Sequence, residues 1–148
     1  MQYTVYLSGE IHTDWREKIK RAVAENKWPI TLLTPNTDHG SSDDCGEEIL
    51  GSENSPFWKD HKAAKINSIR HNTGIEKSDI VIVRFGDKYK QWNAAFDAGM
   101  AIAKGKSLIV EHADELTHPM KEIDAQAFAV AKNTEQIIEI LGYLVKDY

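Results

Sequence analysis

Five short segments rich in β-branched and aromatic residues recur along the chain, and each predicts a β-strand. They span residues 3–8, 30–33, 79–85, 107–111 and 127–131. The third of them, D-I-V-I-V-R-F, is almost entirely apolar. That pattern is typical of a central parallel strand that is covered on both faces.

Amphipathic segments with apolar residues at helical spacing separate these strands and predict helices. They span roughly residues 15–27, 57–77, 91–104, 118–123 and 134 onward. Asp14, followed three residues later by Glu17, resembles a capping box at the start of the first helix. Thr73-Gly74 is a candidate break in the second helix, Gly105 is predicted to end the third, and Thr134 is predicted to cap the last.

The segment 35–55 is polar and carries no strong periodic pattern. We predict a long loop there, with a short helix near residues 47–50. Loops of that length are uncommon in compact domains and are often functional.

Strict alternation of strands and helices predicts one α/β domain over residues 1–148, with a parallel sheet covered by helices on both faces. Right-handed crossovers favour a flavodoxin-like sheet of five strands in the order 2-1-3-4-5. Ligands of such sheets bind beyond the carboxyl ends of the strands, between strands one and three. The segments that follow those strands, residues 8–14 and 84–97, are therefore the candidate site.

Composition narrows the class of protein without changing this prediction. The chain has 148 residues, 41% hydrophobic and 28% charged, with a formal net charge of −5. This charge is unfavourable for binding a nucleic-acid polymer or an anionic membrane surface, but it leaves a small anionic ligand open. With Cys45 as the one cysteine, no signal-peptide pattern and no apolar run of about 18 residues, we expect a cytoplasmic protein.

The richest chemistry lies in R-F-G-D-K-Y-K-Q-W-N-A-A-F-D-A-G, residues 84–99. Asn93 and Asp97 are four residues apart and share one helix face. Arg84, Lys88 and Lys90 are candidates for holding a phosphate, or are solvated surface charges. The plain alternative for Asp97 is a surface carboxylate on an ordinary amphipathic helix.

The sequence contains no metal-binding motif and no glycine-rich nucleotide-binding motif, so we expect no cofactor and no metal. Neither H-E-x-x-H nor G-x-G-x-x-G occurs among the residues. His112, Asp114 and His118 come nearest to a metal-ligand grouping. A receiver domain is disfavoured because strand three ends in Arg84-Phe85-Gly86 rather than in a phosphorylatable Asp.

Three motifs nevertheless resemble those of a known superfamily. They are Y-L-S-G at residues 6–9, S-D-I-V-I-V at 78–83 and F-D-A-G-M-A-x-A-x-G-K at 96–106. This set is similar to the nucleoside 2-deoxyribosyltransferase superfamily. Residues 84–99, together with F-W-K-D-H-K-A-A-K-I-N-S-I-R and H-P-M-K-E-I-D, resemble its YtoQ branch over essentially the whole chain.

The resemblance implies cleavage or transfer of the N-glycosidic bond of a nucleoside or a nucleotide-like small molecule. Asp97 matches the nucleophilic Glu of the transferases but is one methylene shorter, and Tyr6 matches the Tyr that orients it. Positions that carry base-contacting acids in the transferases fall near Gln91 and near His71 or Asn72. The candidate substrate contacts are Ser8, Gly9, Arg84, Phe85, Gly86, Gln91, Trp92 and Asn93.

Two further expectations follow from the resemblance. Transferase-like relatives complete their pockets with a neighbouring subunit, so we expect a homodimer or a higher homo-oligomer. The departures from the transferase pattern leave open a second function class, a non-catalytic sensor that binds a nucleotide-type ligand. Turnover of a nucleoside to free base would distinguish the enzyme from the sensor.

Overall fold

The computed structural model describes residues 1–88 and 90–147. The strands are β1 (Tyr3–Gly9), β2 (Ile30–Leu33), β3 (Ile80–Arg84), β4 (Ser107–Glu111) and β5 (Ala129–Ala131). The helices are α1 (Trp15–Glu25), α2 (His39–Leu50), α3 (Pro56–Lys77), α4 (Trp92–Ala103), α5 (Thr117–Asp124) and α6 (Thr134–Val145). A 3₁₀ turn at Asp114–Leu116 precedes α5.

The five strands form one parallel sheet in the order β2-β1-β3-β4-β5, which confirms the predicted α/β architecture. β1 lies beside β3 with Ser8 opposite Val83 and Gly9 opposite Arg84. The carboxyl ends of these two strands therefore lie side by side at the point where the strand order reverses. That is the edge at which ligands bind in sheets of this type.

Alternate residues of the central strands supply two apolar cores, one on each face of the sheet. Val5 and Leu7 pack with α1 and α6 on one face, in a core that includes Trp15. Tyr6 and Val81 pack with α3 and α4 on the other. Because side chains alternate along a strand, β1 contributes residues to both cores.

Several predicted boundaries were wrong, and α2 is the largest error. The polar segment 35–55 contains a helix of 12 residues rather than a loop with a short helix. Asp38 caps it by accepting from the Ser41 N–H at 2.7 Å. Gly46 lets it approach α3 closely, because a Cβ at that position would lie 2.5 Å from the Ala63 backbone nitrogen. Packing on α3 stabilises α2 without a strong apolar stripe.

The candidate break in α3 was also wrong, because the helix runs unbroken through Thr73-Gly74. Gly74 serves a close contact instead, since a Cβ there would lie 2.5 Å from the Tyr6 ring. This glycine lets α3 sit directly on the Tyr6 side chain.

Helix ends were predicted with mixed success. The Asp14 side chain makes no capping hydrogen bond to α1, because its backbone is not in the extended cap conformation. Asn133 rather than Thr134 caps α6, accepting from the Gln136 N–H at 2.9 Å. Gly105 does end α4: its φ is +66°, and the Gly105 and Lys106 N–H groups donate back to the Ile102 and Ala101 carbonyls.

None of the helices within residues 1–88 and 90–147 combines the length and the apolar character needed to cross a bilayer.

Gly9 ends β1 in a conformation that few other residues tolerate. Its φ is +106°, and a Cβ would lie 2.1 Å from the Arg84 carbonyl oxygen. We expect Gly9→Ala to lower the free energy of unfolding by more than about 3 kcal/mol, because left-handed strain adds to a backbone clash. Urea denaturation measures the loss.

Gly99→Ala is the matched control, since a Cβ there meets nothing within 4 Å. In a helix interior, alanine is favoured over glycine by about 0.5–1 kcal/mol, so this variant is expected to be slightly stabilised. Equal stability of Gly9→Ala and the unaltered protein would contradict the close approach of β1 and β3.

Candidate active site

A buried carboxylate stands at the edge where β1 and β3 end. Asp97, in the second turn of α4, is 4% exposed. The Ser8 Oγ, at the end of β1, donates to its Oδ2 at 2.5 Å. The small residues Ala94 and Ala98 of α4 are buried against the sheet, which brings the helix close enough for this contact.

His71 of α3 contacts the same carboxylate oxygen and links it to Tyr6. The His71 Nδ1 lies 3.2 Å from the Asp97 Oδ2 and 3.2 Å from the Tyr6 hydroxyl. An ionised carboxylate can only accept hydrogen bonds, so Nδ1 is the donor to Asp97. Tyr6 therefore reaches Asp97 through the imidazole of His71 and makes no direct hydrogen bond to it.

Tyr6 is fully buried beneath this contact. Burial raises the pKa of its hydroxyl, and the negative charge of Asp97 raises it further, with partial compensation from Arg16 and Arg70. The hydroxyl therefore stays protonated at neutral pH and is a fixed neutral neighbour of His71. Sequence matching placed Tyr6 next to Asp97 and put a base-contacting position near His71 or Asn72, but it did not predict the contact of His71 with Asp97.

The two oxygens of Asp97 have different surroundings. The hydrogen bonds made by the described residues end on Oδ2, and none of them ends on Oδ1. No side-chain oxygen or nitrogen buried within the described residues lacks a hydrogen-bond partner. Oδ1 is therefore open to the neighbouring cleft.

That cleft consists of two cavities that share one wall. Their volumes are about 240 Å³ and 580 Å³. Residues common to both are Ser42, Asp43, His71, Asn93 and Asp97. Asp97 and Asn93 thus line the cleft together, as their spacing on one helix face predicted.

The two cavities differ in chemistry. The smaller one adjoins the ends of β1 and β2, with Ser8, Gly9, His12, Asn36 and Lys90 in its wall. The larger one lies between α3 and α4 and combines amides with apolar side chains. Its distinctive residues are Asn67, Asn72, Phe96, Met100 and two alanines, Ala63 and Ala64. The smaller cavity is thus the more polar of the two.

Arg84 lies beside the cleft but is held by two buried acids. Its Nε donates to the Glu10 Oε1 at 2.8 Å, and its guanidinium also pairs with Glu111. Arg84 is absent from the residues that line either cavity. Because its guanidinium is already paired with two carboxylates of the protein, Arg84 is poorly placed to hold a phosphate.

The two acids respond differently to burial. For Glu10, burial raises the carboxyl pKa, but hydrogen bonds from Thr13, the His12 backbone and Arg84 outweigh it and lower the pKa. For Glu111, burial dominates over Arg84 and Thr134 and raises the pKa. The ion pairs and hydrogen bonds of Arg84, Glu10, Glu111 and Thr134 join the loop after β1 to β3, β4 and α6.

Arg16 fixes the loop that follows β1. It is 4% exposed and donates to the carbonyls of Leu7, Gly9 and Glu10 at 2.5 to 3.1 Å. Burial lowers the pKa of its guanidinium to about 10, so it remains charged at neutral pH. Its place beside Trp15 on the inner face of α1 was the only signal of this role in the sequence.

The remaining predicted contacts lie on a third, more apolar cavity of about 880 Å³. Phe85, Gly86, Gln91 and Trp92 line it, with residues of α5 opposite. Trp92 is 74% exposed. Gln91 also lines the smaller cavity of the cleft, and its Oε1 accepts from the Gly86 N–H at 3.0 Å.

Two of the three residues nearest to a metal-ligand pattern, His112 and Asp114, are paired with other side chains. His112 Nε2 lies 3.0 Å from Asp124, and Asp114 pairs with Lys132 at 3.1 Å. Within residues 1–88 and 90–147, no three His, Cys, Asp or Glu side chains are grouped so that they could hold a metal ion.

Comparison with solved structures supports the fold. A conserved protein from Enterococcus faecalis V583 matches with a TM-score of 0.58 at 12% identity, covering 97% of this chain and 99% of that chain. A 2-deoxyribosyltransferase from the psychrotolerant bacterium Bacillus psychrosaccharolyticus matches with a TM-score of 0.56 at 15% identity, covering 98% of both chains. At these identities the likeness shows the fold alone.

Matches in sequence also identify the family of the chain. The family described as nucleoside 2-deoxyribosyltransferase YtoQ matches residues 6–145. The uncharacterized protein YtoQ of Bacillus subtilis (strain 168) is 46% identical over 144 residues, which cover 97% of each protein. On these two matches, the chain belongs to the nucleoside 2-deoxyribosyltransferase YtoQ family.

Proposed function

We propose that this protein cleaves or transfers the N-glycosidic bond of a nucleoside or a nucleotide-like small molecule, with Asp97 as nucleophile. The observation that carries the proposal is the asymmetry of the Asp97 carboxylate. Ser8 and His71 hold Oδ2, while Oδ1 is open to the cleft. A nucleophilic carboxylate needs this arrangement, because one oxygen must be fixed while the other attacks.

The charge of Asp97 suits the same chemistry. Cleavage of a glycosidic bond passes through an oxocarbenium-like transition state with positive charge on the sugar. A carboxylate that is largely excluded from water stabilises such a charge more strongly than one in bulk solvent. Among the described residues, no lysine or arginine forms an ion pair with Asp97, whose one such partner is the imidazole of His71.

The contacts around Asp97 suit its short side chain. Ser8 approaches from β1 and His71 from α3, so the walls close around a carboxylate one methylene shorter than Glu. In this proposal Tyr6 orients Asp97 through His71. Asn93, Ser8, Gly9 and Gln91 border the cleft and would contact substrate, whereas Arg84 acts as support beneath it.

The class of substrate rests on the family and on one structural neighbour. That neighbour is a 2-deoxyribosyltransferase described as a biocatalyst for the synthesis of nucleosides. A sugar fits the polar smaller cavity and a base fits the larger one, which brings the C1′–N bond to Asp97 on their shared wall. Trp92 and Phe85 on the third cavity are then candidates for contacts beyond the base.

The test is turnover. The protein is incubated with a mixture of ribo- and 2′-deoxyribonucleosides and their 5′-phosphates, and free bases are measured by chromatography. Release or exchange of base supports the proposal. Saturable binding of a nucleoside without any base release contradicts it and favours the ligand sensor.

We also expect the protein to form a homodimer or a higher homo-oligomer. Several large apolar side chains are exposed on the isolated chain, among them Phe57, Trp58, Ile69 and Phe96. Covering them against a symmetric neighbour would remove apolar surface from water. Light scattering coupled to gel filtration measures the mass, and a monomer at micromolar concentration would contradict this expectation.

A further inference from the structure

The second nitrogen of His71 is left for a ligand. Nδ1 is used by Asp97 and Tyr6, but no described residue bonds Nε2. Since buried side-chain nitrogens among the described residues all have partners, Nε2 must be open to the cleft. The His71 side chain is 28% exposed and lines both cavities.

We infer that His71 is the proton carrier of this site, an inference that rests on the proposed glycosyl chemistry. It would protonate the departing base and then accept a proton from the water or other acceptor that replaces it. A side chain that touches the nucleophile on one nitrogen and faces the substrate cavities with the other is placed for both steps.

The first step forms a glycosyl ester on Asp97 and releases the base. The Asp97 Oδ1 forms a bond to C1′ of the sugar while the C1′–N bond breaks, and the bonding electron pair leaves with the base. The Nε2–H of a His71 imidazolium gives its proton to the base, which departs neutral. His71 is left as a neutral imidazole whose Nδ1–H still donates to Asp97.

The second step reverses the proton movement. The oxygen of water attacks C1′, the C1′–Oδ1 bond breaks, and its electron pair returns to the Asp97 carboxylate. The proton of the water passes to Nε2 of His71, which restores the imidazolium. No oxidant, reductant or metal enters the balance.

Four other titratable groups around the cleft are less suited to this role. Tyr6 is buried with a raised pKa and faces His71. His39 and Asp43 pair with each other at 2.8 Å and are more than half exposed. Glu10 is committed to Arg84, Thr13 and the His12 backbone. An imidazole also has the intrinsic ability to give and take a proton near neutral pH.

His71→Asn separates proton transfer from positioning. The Asn amide can still donate to Asp97 from near the Nδ1 position, but it has nothing at the Nε2 position and does not titrate. The variant is compared with the unaltered protein on 2′-deoxyadenosine and on 4-nitrophenyl 2-deoxyriboside. The 4-nitrophenolate leaves without needing a proton.

We expect the first-turnover rate of base release from 2′-deoxyadenosine to fall at least about 100-fold in His71→Asn, and the first-turnover rate of nitrophenolate release, which precedes hydrolysis of the glycosyl ester, to stay within a few-fold. Retained nitrophenolate release also shows that the variant is folded. The control His118→Asn changes an exposed histidine of α5 outside the cleft and should leave both rates unaltered.

Two outcomes would overturn the inference. Equal losses on both substrates would make His71 a positioning residue for Asp97, and unchanged rates on both would give it no role in the reaction. Failure of the underlying proposal looks different: the unaltered protein would process neither substrate, or Asp97→Asn would remain active on both.

Discussion

Replacing Asp97 by Asn is expected to abolish base release while the protein still binds its ligand. The amide keeps the shape of the carboxylate and can remain in contact with Ser8 and His71. It is neutral, however, and a poor nucleophile, so it can neither form the glycosyl ester nor stabilise the positive transition state. We expect kcat to fall by at least about 1,000-fold and ligand affinity to change only a few-fold.

Two companion variants make this result specific. Asp114→Asn removes an exposed carboxylate paired with Lys132 and should leave kcat unaltered. Asp97→Glu restores the length found in the transferases, but Ser8 at 2.5 Å and His71 at 3.2 Å leave little space for it. We therefore expect Asp97→Glu to be slower than the unaltered protein. Unaltered turnover in Asp97→Asn would make Asp97 a structural carboxylate and favour the ligand sensor.

Replacing Arg84 by Ala is expected to give the largest loss of stability. It leaves Glu10, 5% exposed, and Glu111, 2% exposed, without the cation they share. Removing one partner of a buried ion pair typically costs about 3–5 kcal/mol. Urea denaturation at neutral pH measures the loss in free energy of unfolding.

The loss in free energy of unfolding should become smaller as the pH falls. Arg84 opposes the effect of burial on both carboxyls, so the pKa values of Glu10 and Glu111 both rise in the variant. A group whose folded-state pKa is raised favours folding when it is protonated and loses that contribution as the pH rises. The deficit of Arg84→Ala should therefore shrink as the pH falls below the new pKa values.

Arg21→Ala is the control, because Arg21 is exposed on α1. It should change the free energy of unfolding by no more than about 0.5 kcal/mol at any pH tested. A deficit in Arg84→Ala that is small at neutral pH, or that grows with acidification, would contradict the buried network.

The sheet was predictable because its signal is local and repeated. The apolar run of β3 and the alternation of strands with amphipathic segments determine a parallel α/β order. The helix α2 was missed because its residues are short and polar. Its cap at Asp38, the close contact of Gly46 with α3 and the pairing of Lys59 with acids of α2 hold it in place, and contacts with another helix cannot be read from a single segment.

The candidate site was predictable to a similar extent. The fold rule located the ends of β1 and β3, and helix spacing placed Asn93 and Asp97 on one face. His71 contacts Asp97 and Tyr6, which lie 26 and 65 residues away in the chain, and Arg16 contacts Leu7, 9 residues away. No motif encodes these contacts. Arg84 was a candidate for binding an anion because it lies at the end of a strand. Its guanidinium is instead paired with Glu10 and Glu111, which are distant from it in sequence.

The most direct test of Asp97 as nucleophile is to trap the covalent intermediate. A nucleoside of 2-deoxy-2-fluoroarabinose carries an electron-withdrawing fluorine that disfavours the oxocarbenium-like transition state and slows hydrolysis of a glycosyl ester. After incubation, peptide mass spectrometry should find the fluorinated sugar on Asp97 in the unaltered protein and not in Asp97→Asn. Base release with no sugar on Asp97, or with the sugar on another residue, would contradict the account.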